Sequence, residues 1–533
     1  MRRAAAIAPL LLLWGLPLAA VVIALIPTLW DIGAWRALFA HPQLAGGLAL
    51  SLWTGTASTA LALVIAITIV MGLADTVWGR MLQGTSGLML SLPHLALAVG
   101  LAVLIMPSGL IARILVGGAA PPDWVTLHDP LGLTLIAALV LKEVPFLVAL
   151  LVAGFAQGDA AQRLQAEMGA ARGLGHGSRS AWLRVVLPQL LPRLGWPLLI
   201  TWTYSATVVD MALVLGPTAP PTLAQVLWRD LSDADAMVNA RGAAGAVLLL
   251  LVLAAIALVM WDVIRHLLPK VQRWLTRGPV LASAPRALAE LTAGALVAVY
   301  GLVVMLLLFL SIAPLWPWPA VLPPAFSVLA WQGLPGAPVF TTLWLALLVS
   351  AAALVSAILW FEITPAPWDR PALMIAALLL ALPPLLLATG QNRALLATHG
   401  SGTAAGLFLV HLAPAMAYVL LVLAGPYRAF DARYTAVARS LHVSPSALWW
   451  RVKRPLLSAP LALSAAIAFA VSVAQFVPAQ LAAAGRFTTL PMAAITLASG
   501  GNRALLAATA FLLAALPALA FLAAAWAGRP RWR

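Results

Sequence analysis

The chain has 533 residues, of which 63% are apolar and 9% charged, with 31 Lys and Arg against 16 Asp and Glu and no cysteine. An ordinary soluble protein is about a quarter charged, so this composition excludes a soluble enzyme and fits a chain whose solvent is lipid. Cysteine-dependent chemistry is excluded, and none of the three lysines, Lys142, Lys270 and Lys453, stands in the G-x-x-x-x-G-K-[ST] context that cradles phosphate.

Apolar runs predict helices over 7–29, 46–74, 85–106, 131–155, 194–216 and 242–263, then over 288–314, 339–361, 372–390, 403–425, 459–484 and 504–527. The first run follows Arg2 and Arg3, and at about 23 residues it exceeds the apolar core of a secretory signal, so it reads as a retained helix. With the N-terminus in the cytoplasm, 23 of the 31 basic residues fall on the cytoplasmic side, seven on the other, and Lys142 within a helix. The positive-inside rule therefore places both termini in the cytoplasm. The net charge of +15 is a topology signal for which anionic lipid headgroups are a sufficient partner, and nucleic acid is not needed. The eight histidines include no i, i+4 pair, so no metal site is expected.

The chain is written twice. Ser91-Leu-Pro-His-Leu-Ala-Leu-Ala-Val-Gly100 resembles Ala381-Leu-Pro-Pro-Leu-Leu-Leu-Ala-Thr-Gly390, and Pro145 in the fourth helix corresponds to Pro414. At an offset of 267, Ala171, Arg172, Leu174, Arg184, Val185 and Pro188 match Ala438, Arg439, Leu441, Arg451, Val452 and Pro455, and the register continues to Thr222-Leu223 and Thr489-Leu490. The expected fold is all-α and transmembrane, with about twelve helices in two parallel six-helix repeats. The expected units are 1–270 and 288–533, joined by a basic cytoplasmic linker over 271–287.

The loops between the fourth and fifth helices of each half are too long for simple connections. Each reads as an Ala-rich helix, a break and a second helix leading back to the membrane. Gly175 and Gly177 break the first copy, while Ser444 as N-cap and Pro445 at the first helical position restart the second. A helical knob carrying Arg suits a partner's groove.

Ionisable residues at membrane depth are functional candidates. Lys142 and Glu143 fall in mid-helix and point about 100° apart, so each is expected to face its own partner. Asp210 lies in the fifth helix, where a contact with Lys142 is expected, and His411 falls at the Lys142 position of the second half. These four are candidates for lining a translocation path. Pro93, Pro145, Pro383 and Pro414 are expected to kink their helices.

The duplicated loop resembles the EAA loop of permease subunits in binding-protein-dependent ABC importers, E-A-A-x-x-x-G followed after nine residues by I-x-L-P. Gly169, Ala170, Ala171, Gly175, Val185, Leu187 and Pro188 take those positions in the first copy, and Ala436, Val437, Ala438, His442, Val452, Arg454 and Pro455 in the second. Both copies lack the Glu, although Glu167 lies two residues early, and the second also lacks the Gly and the Leu. The fused arrangement looks like the thiamine, iron(III) and YnjC-like permeases.

That resemblance implies a multi-pass protein of the bacterial inner membrane that forms the path for a small solute. Its implied partners are two ABC ATPase subunits docked on the loops, Arg172 and Arg439 included, and a periplasmic solute-binding protein. No catalysis and no cofactor are expected in this chain, since ATP and Mg would sit on the ATPases. The competing reading is a secondary transporter of the major facilitator type, for which Gly72 to Arg80 offers an imperfect G-x-x-x-D-R-x-G-R. A membrane enzyme would need a nucleophile with a base, a carboxylate pair or a metal cluster at one depth, and none is evident.

Overall fold

A computed structural model describes residues 2–73, 87–118, 120–153, 158–277 and 286–529. Among them all regular structure is helical apart from an isolated bridge between Thr218 and Pro221. Eight helices are long and apolar enough to cross a membrane, or up to eleven when three sharply bent pairs each count as one span. Most of the Gly72 to Arg80 segment lies outside the described residues, as does 278–285 of the linker.

Every apolar run of the sequence meets a helix, but four are broken. Pro93 separates the helical residues 87–91 from His94–Ile105, and Pro383 separates Asp369–Ala381 from Pro384–Ala397, the latter pair bent by 102°. Proline lacks the N–H that would continue the ladder and drives the preceding residue to extended backbone. Leu382 is accordingly extended, at φ −65° and ψ 140°. The fifth helix of each half is also interrupted: Gly195–Thr207 gives way to Asp210–Leu215, and Ser458–Ala474 to Val477–Ala483. The first of these breaks falls within the β-branched run Thr207-Val208-Val209, of low helix propensity. The second has Pro478 in the first turn after it, a position where proline is tolerated.

The unit boundary drawn at 270 falls inside a helix. Ala236–Arg277 runs for 42 residues through Pro269, about 63 Å at the usual rise and twice the hydrocarbon thickness, so its last turns project beyond the membrane. The expected linker over 271–287 thus begins as the end of that helix and finishes in Arg286–Ser311.

The duplication is visible element by element at the same offset of 267. Ser178–Ala181 matches Pro445–Leu448, the π-helical turn Trp182–Val186 matches Trp449–Lys453, and Leu223–Leu231 matches Leu490–Ala498. Even a capping contact is repeated. The first N–H of Leu223–Leu231 donates to Ser51 Oγ at 3.0 Å, and that of Leu490–Ala498 donates to Thr342 Oγ1 at 2.9 Å. An orphan N–H at a helix start is costly when buried, and the second helix of each half supplies the acceptor.

The first helix of each half crosses to the other half. Arg2–Trp30 packs chiefly on Pro384–Ala397, and Arg286–Ser311 packs on Leu44–Leu73 and His94–Ile105 as well as on Arg503–Ala527 of its own half. Val21 and Leu25 therefore belong to a core built mainly from the second half, while Val303 and Leu307 belong to one built mainly from the first. Gly100 and Gly390 mark the crossing points. A Cβ on Gly100 would lie 2.5 Å from Val303 Cγ1, and one on Gly390 would lie 2.7 Å from Val21 Cα. Small residues let membrane helices approach closely where no hydrophobic drive separates helix from lipid. Polar bonds fasten the exchange: Tyr300 Oη donates to Leu141 O at 3.0 Å, and Arg393 donates to Thr28 Oγ1.

Candidate functional site

The strongest candidate is the pair of helical hairpins after the fourth helix of each half. In the first, Gly158–Gly173 ends in a left-handed Gly175 at φ +88°; in the second, Ala432–Ser440 ends in a left-handed His442 at φ +53°. Both close by the same pair of bonds. His176 N–H donates to Ala171 O at 3.1 Å and Gly175 N–H to Arg172 O at 3.0 Å, while Val443 N–H donates to Ala438 O at 2.9 Å and His442 N–H to Arg439 O at 3.1 Å. These are Schellman closures, which satisfy the last carbonyls of a helix. The missing glycine of the second copy therefore leaves the turn's geometry intact.

The restart also follows the sequence. Ser444 Oγ accepts from Ala447 N–H at 3.2 Å with Pro445 next to it, and Gly177 holds the N-cap position in the first copy. Pro188 and Pro455 explain the π-helical turns just before them. Proline cannot donate and its ring displaces the carbonyl four residues back, so the turn widens: Leu187 N–H reaches Trp182 O, and Arg454 N–H reaches Trp449 O.

The closures present matched side chains. Ala171 and Ala438 are buried, Arg172 and Arg439 are exposed in the last helical turn, and Leu174 and Leu441 stand at the tips, 81% and 69% exposed. Cations in that last turn complement the helix dipole. Gly169, Ala170 and Ala436 are exposed, whereas Leu187 and Pro188 are buried. Gln272 Nε2 fastens the first hairpin by donating to Pro188 O at 2.8 Å. Pro455 is exposed, so the two copies are anchored differently. Glu167 accepts from Gln189 Nε2 at 2.7 Å and so braces the first hairpin internally.

The second candidate is the set of polar residues inside the helices. Lys142 and Glu143 are each only 7% exposed. The expected Lys142–Asp210 contact is not an ion pair. The Lys142 ammonium donates to Leu90 O at 3.1 Å and Leu92 O at 2.5 Å, carbonyls left free where Pro93 interrupts the third helix. A buried ammonium and orphaned carbonyls thereby satisfy one another. Glu143 turns away toward Thr201, as the angular separation of neighbouring residues requires. Asp210 opens the helix after the fifth-helix break, with its carboxylate toward the Met211 N–H. It remains within electrostatic range of Lys142.

His411 has partners only from the second half. Its Nδ1 lies 3.0 Å from Ser472 Oγ, its carbonyl accepts from Gln475 Nε2 at 3.1 Å, and its buried Nε2 has no partner. Lys142 and His411, equivalent in the repeat, thus each sit beside a helix break, but not the same one. Sequence reasoning missed His94 and Tyr204, whose rings are 4.6 Å apart in the neighbourhood of Lys142, Glu143 and Asp210. The scarcity of tyrosine, five in the chain, was the one available signal.

Spanning helices, paired hairpins and buried polar residues beside helix breaks mark a multi-pass helical membrane protein. In sequence the chain is 29% identical over 535 residues, 98% of its own length and 97% of the relative's, to the inner membrane ABC transporter permease protein YnjC of Escherichia coli (strain K12). The chain is thus similar, over nearly its whole length, to an ABC transporter permease of the inner membrane. No family model and no solved structure matches.

Proposed function

We propose that the chain is the fused permease subunit of an ATP-driven importer, with twelve crossings and both termini in the cytoplasm. Each hairpin docks one ABC ATPase subunit, and a periplasmic binding protein delivers a small solute to the opposite face. The chain itself hydrolyses nothing; ATP and Mg belong to the ATPases. The observation that carries this reading is the matched pair of closed hairpins, each raising a leucine and an arginine at the same two positions of the turn. An even number of crossings per half puts both on one face, which the basic residues mark as cytoplasmic.

The solute's path runs along the broken helices, with Lys142, Glu143, Asp210 and His411 as candidates for its lining. Lys142 acts there by holding the third-helix break open, through Leu90 and Leu92. On the far face a cavity of about 670 Å³, bordered by Ser108, Trp316, Asn502 and Arg503, offers an entrance.

The test is assembly. Replacing both Leu174 and Leu441 by Asp is expected to abolish co-purification of the ATPase while membrane insertion is retained, because a desolvated carboxylate at a groove centre is strongly unfavourable. Unchanged assembly, or solute uptake that persists without any ATPase and collapses with the proton gradient, overturns the proposal.

A further inference from the structure

The second hairpin is tied to its bundle by a network of charged and polar side chains. Glu362, at the end of Gly336–Ile363, accepts from Lys453 Nζ at 2.7 Å and from Tyr427 Oη at 2.6 Å. Tyr427 Oη in turn accepts from Trp449 Nε1 at 3.2 Å. Lys453 and Trp449 belong to the π-helical turn of the hairpin. Beside them Arg428 grips Asp369 with two bonds of 2.6 and 2.9 Å, and it donates also to Phe361 O and Thr364 O, at 3.1 and 2.9 Å. Trp360 Nε1 donates to Asp369 at 2.9 Å.

Two carboxylates thus collect the end of one membrane helix, the end of Ala404–Arg428 and the hairpin itself into one charge-assisted cluster. Such charge-assisted bonds are short and directional. The Lys453 side chain is 18% exposed and that of Glu362 33%.

The first copy does not repeat the Glu–Lys pair at the matching positions. The 267 offset sets Val186 against Lys453, and the offset of the repeated Ser51 and Thr342 caps sets Met71 against Glu362.

We propose that Glu362 is a positioning residue, a latch that makes the second hairpin and Gly336–Ile363 move as one body, so that this hairpin passes the ATPase stroke directly to that helix. The proposal rests on the reading that the hairpins dock ATPases. Coulombic attachment at the hairpin's base hands any displacement directly to the helix, without slack at the turn.

Because the native chain has no cysteine, two spin labels can be placed cleanly at Ser446→Cys and Leu359→Cys in the full chain reconstituted with its ATPases. On adding Mg-ATP the label separation is expected to stay fixed in the otherwise unaltered chain. It is expected to shift or broaden in Glu362→Gln and in Lys453→Met, with an approximately tenfold loss of coupled ATP hydrolysis, as for a lost charged hydrogen bond. The exchanged pair Glu362→Lys with Lys453→Glu is expected to restore both readings. Equal separations and equal coupling in all variants overturn the latch. So does a loss that charge exchange does not repair, since that marks a merely structural glutamate. If the unaltered chain binds no ATPase, the proposed function falls, and the latch as a transmitter falls with it.

Discussion

At the scale of single residues, the two hairpins solve one problem with unequal means. A left-handed turn is free for Gly175 but costs an L-residue about 1–2 kcal/mol, which His442 bears at φ +53°. Gly175→Ala is therefore expected to loosen the first hairpin by about 1 kcal/mol, and His442→Gly to tighten the second by a similar amount. A Cβ on Gly175 would meet nothing within 4 Å, so the alanine's penalty is conformational and not steric. Limited proteolysis of the membrane-embedded chain reads both: cutting near 174–176 should accelerate in the first variant, and cutting near 441–443 should slow in the second.

At the scale of elements, the glycines at the helix exchange are not equivalent, although the repeat pairs them. Gly100 faces chiefly a side chain, Val303 Cγ1 at 2.5 Å, which can be shortened, with Leu307 Cγ and Val303 O further off at 3.3 Å; Gly390 faces the Val21 backbone at Cα, at 2.7 Å, as well as its side chain. Gly100→Ala and Gly390→Ala are each expected to lower thermal stability in detergent by about 1–3 kcal/mol through overpacking. Val303→Ala should rescue the first variant, whereas Val21→Ala should rescue the second only in part. Equal rescue would mean that the helices slide freely. This asymmetry was not legible in the sequence, where both glycines simply stand seven residues after a proline. The offset of 267 was legible, because it is carried by side-chain identities such as Arg184 and Arg451, and it placed the hairpins, their turns and their restarts correctly. The breaks at Pro93 and Pro383 were legible from their prolines, whereas Pro145 and Pro414 stay inside continuous helices; the fifth-helix breaks were not legible, since hydropathy registers an apolar run whether or not its backbone is continuous. Nor was the role of Lys142, whose partners are carbonyls, which every residue carries.

At the scale of the whole molecule, apolar patterning says that a helix face must be covered but not by which helix. Reading the chain as consecutive six-helix units therefore gives the order of the elements and misses their exchange. Each half extends its first helix into the other: Val21 and Leu25 help fill one core, and Tyr300, Val303 and Leu307 help fill the other, beside Arg503–Ala527 of their own half. Fusion into one chain then guarantees that both first helices are made together. If exchange and not the linker holds the halves, cutting within 278–285 should leave the fold intact. The fragment 1–277 alone keeps its own first helix but lacks Arg286–Ser311, which leaves the faces of Leu44–Leu73 and His94–Ile105 open to lipid, Gly100 without Val303 and the Leu141 carbonyl without the Tyr300 hydroxyl. Expressed singly, 1–277 and 286–533 are each expected to be degraded in the membrane; co-expressed, they are expected to co-purify as one complex with nearly the stability of the uncut chain. Stable accumulation of either fragment by itself would show that each half completes its own core, and the exchange would then be no more than an adjacency.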